Sequence, residues 1–138
     1  MKKNILFGIL LTMWAGHSLL AESKGKLIVP AAVKSALAKK YPHATKVTWE
    51  TEKGNYEANW GGRSGEDTSV MFTPAGVFVE EVDAIMVNQL PKSVAPYVKQ
   101  HYKGAKINEA GKVKAANGTL TYEVEITGKD LIFDLKGK

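Results

Sequence analysis

Apolar residues recur every fourth position at Val33, Leu37 and Tyr41, and again at Val94, Val98 and Tyr102. Positions i, i+4 and i+8 share one side of an α-helix, so each triplet predicts a helix with a single apolar stripe. Pro30 and Pro91 precede the stripes, where a missing N–H is harmless, and Pro42 and Gly104 close them. Pro96 leaves the exact start of the second helix open. Elsewhere the period falls to two. Val47 and Trp49 alternate with Thr48 and Glu50, and Tyr56, Ala58 and Trp60 alternate with Glu57 and Asn59, around a turn at Gly54-Asn55. Further strands are predicted at 68–72 and 77–82 around Pro74-Ala75-Gly76, then near 106–115, 119–126 and 129–135. Asn117-Gly118 and Gly128-Lys129 supply the last hairpin turns. The segment 77–82 is apolar on both parities, so its facing is ambiguous.

The pattern is written twice. Val29-Pro30, Val33, Leu37, Tyr41 and Ala44 recur as Leu90-Pro91, Val94, Val98, Tyr102 and Ala105, and Phe72 and Gly76 recur as Phe133 and Gly137. Tyr56-Glu57-Ala58 matches Tyr122-Glu123-Val124 after a drift in register, which places the length changes in turns. Two repeats are therefore expected, about 28–88 and 89–138, the second without a fourth strand. A helix followed by an antiparallel meander, twice over, predicts an α+β fold. The helices pack on one face of a shared sheet of about seven strands, and the other face is left open. The expected core is Val33, Leu37, Tyr41, Val47, Trp49, Tyr56, Ala58, Trp60, Val70, Phe72, Val94, Val98, Tyr102, Ile107, Tyr122, Val124, Ile126, Leu131 and Phe133.

The first residues belong to a different pattern. Lys2-Lys3 leads into a mostly apolar run to Leu20, then Ala21, and a polar segment starts at Glu22. A basic start, an apolar stretch too short to span a bilayer and a small residue at the end describe a secretory signal peptide over 1–21. The expected mature chain is a single domain, 22–138, periplasmic or secreted. With no Cys in the sequence it is not a lipoprotein, a disulfide scaffold or a thiol enzyme. The formal net charge of +5 drops by two once Lys2 and Lys3 are set aside, too little for the footprint of a nucleic-acid binder.

Tyr41-Pro42-x-Ala44, Val47-x-Trp49-Glu50, Tyr56-Glu57-Ala58, Gly76 and Leu90-Pro91 together resemble the PepSY-like family of exported bacterial proteins, β-lactamase-inhibitor-like and common in Bacteroidetes. The resemblance covers nearly all of the mature chain. It implies tandem helix-plus-sheet units sharing one continuous sheet in a non-enzymatic periplasmic or secreted protein. For PepSY domains it further implies restraint of peptidases, and for the β-lactamase inhibitor protein a target gripped on the concave sheet face.

Chemistry is sparsely written. His43 and His101 have no partner at ligand spacing, and Gly61-Gly62-Arg63-Ser64-Gly65 lies between strands, with no helix to aim a dipole at phosphate. No cofactor or metal is expected. Glu50, Glu57, Glu123 and Glu125 fall on the polar parity of their strands, away from the aromatic side. Met71 and Ile132 share that parity at equivalent positions of the two copies. The expected partner-binding face is Glu50, Glu57, Asn59, Met71, Glu123, Glu125 and Ile132, an exposed apolar centre with a polar rim. This predicts a non-enzymatic module holding a protein or peptide of the cell envelope, with inhibition of that partner as the narrower form of the expectation. The alternative is an envelope structural or stress-associated protein without a dedicated target.

Overall fold

A computed structural model of the chain describes residues 26–138, so the expected signal peptide lies outside the described residues. The order is α1 (Ala31–Lys40), β1 (Thr48–Glu52), β2 (Asn55–Trp60), β3 (Thr68–Phe72), β4 (Phe78–Ile85), α2 (Val94–His101), β5 (Ile107–Ala115), β6 (Leu120–Ile126) and β7 (Lys129–Phe133), with one 3-10 turn at Val87–Gln89. The strands form one antiparallel sheet in which each pairs with its chain neighbour, from β1 at one edge to β7 at the other. Among the described residues, no helix is long and apolar enough to cross a membrane.

Both helices begin and end as proline and tyrosine dictate. Pro30 caps α1, and its carbonyl accepts from Val33 and Lys34. Pro96 occupies the first turn of α2, where its absent N–H breaks no helical bond. Each helix stops at a tyrosine whose N–H reaches back four residues, Tyr41 to Leu37 at 2.7 Å and Tyr102 to Val98 at 2.9 Å. Two glycines allow the sheet to approach the helix starts. Gly76 has φ +80°, and a Cβ there would sit 2.6 Å from the Ala32 carbonyl oxygen. Gly137 has φ +75°, and its Cβ would lie 2.9 Å from Pro91 Cβ.

The core lies under the helices in two clusters. Val29, Val33, Leu37, Ala58, Val70 and Phe72 are buried in the first, with Tyr41, Val47, Trp49, Tyr56, Trp60 and Phe78 half-buried around them. Leu90, Val94, Val98, Ala110, Val124, Ile126, Leu131 and Phe133 make the second, edged by Ile85, Tyr102, Ala105, Ile107 and Tyr122. The expected aromatic core residues other than the two phenylalanines therefore sit at its margins. A ring on a sheet covered by one short helix is shielded on one side only. Tyr41 shows the arrangement, its ring 5.3 Å from Trp60 and its hydroxyl donating to Glu81 Oε2 at 2.9 Å.

Two irregularities bend the sheet. Phe72 pairs with Phe78 but Met71 pairs with Glu80, which leaves Val79 as an extra residue in β4. A second shift falls between Ile107 and Glu109 in β5. Each bulge reverses the in–out alternation beyond it and increases the local twist. This resolves the ambiguous facing of β4. Phe78 and Glu81 point to the helices, while Glu80 and Val82 point away, as the pairing of Val82 with Ser69 requires.

Candidate functional site

The face turned away from the helices carries Glu50 on β1, Glu57 and Asn59 on β2, Met71 on β3, Glu123 and Glu125 on β6 and Ile132 on β7. The registers Glu50–Glu57, Glu57–Met71 and Glu123–Ile132 fix that common side. No described element covers it, and an uncovered flat face would leave these side chains wet. They are not wet. Glu57, Asn59, Ser69, Met71, Val82 and Val113 are each exposed by less than a tenth, and Glu123 by 2%.

Curvature explains the burial. Both apolar clusters, with their helices, lie on the other side, yet the central side chains of this face are shielded. A sheet that curls toward its helix-free side crowds the side chains of that concave face together in this way. The two bulges supply part of that bend.

The expected anatomy is inverted as a result. Met71 is not an exposed apolar centre: it is 8% exposed, and its sulfur accepts from Asn55 Nδ2 at 3.6 Å. With Val82 and Val113, paired across β4 and β5, it forms an apolar floor. Ile132, 54% exposed, stands at the rim, and Glu50 is exposed near the other edge. Glu57, Asn59 and Glu123, expected at the rim, are buried, with Ser69 beside them. Glu125 is half-buried opposite Asp130.

Acidic charge is concentrated here. Burial, then the nearby charges of Asp130, Glu80, Glu52 and Glu57, pushes the Glu123 carboxyl up to about 7. Burial also pushes Glu57 up to about 7, helped by Glu52, Glu50 and Glu80 and opposed by a hydrogen bond from Ser69. Glu80 is raised by burial and by Glu52, with Lys53 acting against it. Lys53 itself is tied to Glu52, Nζ to Oε1 at 3.7 Å. The Ser69 hydroxyl also lies against Asn59 Oδ1. Glu123 has no such help: its Oε1 is buried without a hydrogen-bond partner among the described residues.

Sequence reading missed Glu80, Val82, Val113, Ser69, Glu52 and Asp130 as members of this face. The available signal was Val113, a lone apolar residue between Lys112 and Lys114 whose parity the β5 bulge reverses. Two carboxyls poised near neutrality can hold or release protons, but hydrolytic chemistry also needs a cleft around them. The grooves beside Met86, beside Tyr41 and beneath α2 are lined by neither glutamate. Among the described residues no three acidic or histidine side chains are grouped to hold a metal ion. His43 and His101 are exposed at the helix ends.

Comparison with known proteins places the fold. No family model matches the chain, and no curated protein matches it in sequence. Solved structures do. A BLIP-like protein from Bacteroides fragilis aligns with a TM-score of 0.61 at 25% identity, over 83% of this chain and 84% of that one. A DUF2874 family protein from Bacteroides uniformis aligns at 0.64 and 24% identity, over 79% and 84%. A protein from Bacteroides eggerthii described as periplasmic aligns at 0.65 and 22%, over 80% and 85%.

Proposed function

We propose that this chain is an exported, non-enzymatic binding module that holds a protein or peptide partner on its concave sheet face. The observation that carries the reading is the construction of that face. An apolar floor of Met71, Val82 and Val113 and the buried polar groups Glu57, Asn59, Ser69 and Glu123 are gathered where no described element covers them. Buried polar groups destabilise a fold unless something satisfies them, so keeping them on an open face makes sense for a surface that is closed by a partner. The fold likeness to a BLIP-like protein supports the same reading.

Export rests on the basic start and short apolar stretch of residues 1–21 and fits the likeness to a protein described as periplasmic. We also read the chain as a duplicated helix-plus-meander unit of the PepSY-like kind. Gly76 backs onto Ala32 and Gly137 onto Ser93, and both helices end on the same tyrosine geometry. Inhibition of the partner is the narrower form of the proposal.

A photo-crosslinking residue at Ile132, on the rim, tests the reading in the native envelope against one at Lys112, on the helix side. The expected result is saturable capture of one protein from position 132 alone. Equal, diffuse and salt-sensitive capture from both positions would instead mark an envelope structural protein without a dedicated target.

A further inference from the structure

We infer that the concave face recognises a basic side chain, arginine or lysine, presented by its protein partner and seated among Glu57, Glu80 and Glu123. The inference rests on the binding-face reading above and names the chemistry of its occupant. Three observations carry it.

The first is the unpartnered oxygen. Glu123 is 2% exposed and its Oε1 has no hydrogen-bond partner among the described residues, so the group is shielded from water and left unsatisfied. A donor supplied from outside would remove that deficit. The second is the sign of the field. Glu50, Glu52, Glu80 and Asp130 all face this region, and the base reaching it, Lys53, is paired with Glu52. An incoming cation is therefore favoured over a neutral or anionic group.

The third observation is the floor, which separates a basic side chain from a bare ion. Met71, Val82 and Val113 lie between the glutamates, on β3, β4 and β5. Arginine and lysine carry a hydrocarbon stem behind the charged head, so they can cover such a floor while the head meets the carboxylates. An arginine head is moreover a planar fork of donors that can meet more than one carboxylate oxygen.

The test uses an N-acetylated, C-amidated peptide of three arginines flanked by glycines, with its citrulline counterpart as a neutral isostere and spermidine as a free amine. Carboxyl ¹³C resonances of Glu57 and Glu123 are followed by NMR at low salt. Calorimetry near pH 7 in two buffers of different ionisation enthalpy measures proton release. The arginine peptide is expected to shift both resonances and release protons as it binds. Glu123→Gln should weaken it about thirtyfold or more, the effect of removing one charged partner of a desolvated pair. In Met71→Lys the new ammonium lies between Glu57 and Glu80 in the strand register, so it should occupy the site from within and block the peptide.

Unmoved carboxyl resonances, or equal binding of the citrulline peptide, would overturn the inference. Spermidine binding as tightly as the peptide would overturn it too, by assigning the site to free amines. The broader reading fails separately. If position 132 captures a protein whose binding survives Glu123→Gln and ignores the arginine peptide, the face binds a partner but not through a basic side chain. If position 132 captures nothing, the face is not the docking surface.

Discussion

Raising the pH from 5 to 8 should destabilise this protein, the reverse of what most carboxylates do. In the folded chain burial pushes the Glu57 and Glu123 carboxyls up to about 7 from the ordinary 4.5. Between those values the native state binds more protons than the unfolded chain, so the stability slope with pH is negative. The contribution is intact below about pH 4.5 and is lost as pH rises through 7. At roughly 1.4 kcal/mol per pKa unit, one such carboxyl costs about 3 kcal/mol when fully ionised. Relaxation of the surrounding side chains offsets part of this, and the pair together is expected to cost about 2–4 kcal/mol at pH 8. Glu80, raised in the same sense, adds to the slope. Asp134, held low by the Lys138 and Lys136 amides, titrates below this window. Urea unfolding of wild type and Glu123→Gln at pH 5, 6, 7 and 8 measures the effect. The variant should gain about 1–2 kcal/mol over wild type at pH 8 and differ from it by less than about 0.5 kcal/mol at pH 5. A wild-type midpoint that rises or stays level from pH 5 to 8 would refute the argument, as would a variant that parallels wild type at every pH.

Three further expectations concern the scaffold. Phe72→Ala and Phe133→Ala, each removing a ring exposed by no more than 3%, should cost about 3–5 kcal/mol by chemical denaturation. Gly76→Ala should cost about 2 kcal/mol or more, because it adds a positive-φ strain to a contact with the Ala32 carbonyl; a thermal midpoint within a degree of wild type would show that the turn can yield. Tyr41→Phe removes the donor to Glu81 Oε2 and should cost about 1–2 kcal/mol, measured by urea unfolding, without changing the carboxyl titrations of the concave face, since Glu81 lies on the helix side.

The helices and the strand order could be read from the sequence because both depend on short-range periodicity. Val33, Leu37, Val94 and Val98 lie where the four-residue spacing puts them, and the seven strands lie within a few residues of their expected places. The side of the sheet on which each candidate residue stands was legible for the same reason. What was not legible was depth. Met71 and Ile132 share a parity, yet one is buried and the other exposed, because burial on an uncovered face depends on how far the whole sheet curls. That curl is set partly by the bulges at Val79 and near Asn108, which interrupt the alternation on which parity reading depends. Val82 and Val113 were missed as floor residues for this reason, and Glu80 with them.

The consecutive strand order also bears on how the chain assembles. Five of the six ladders join strands separated only by a turn or a short loop, so their closure entropy is small. The ladder between β4 and β5 is the exception, because the chain runs from Ile85 through α2 to Ile107 before the pair can form. Each helix has its own apolar cluster, so the two sides can condense before that central seam closes. Glu57 and Glu80 belong to one side and Glu123 to the other. The repulsion between Glu123 and those two is therefore absent until the seam zips and is met at that last step. Mild acid, by neutralising those carboxyls, should speed the closing step in stopped-flow refolding and leave earlier hairpin formation unchanged. The concave face is then expected to be the last part of the molecule to form, and the amides of the β4–β5 seam report its arrival in pulse-labelled hydrogen exchange.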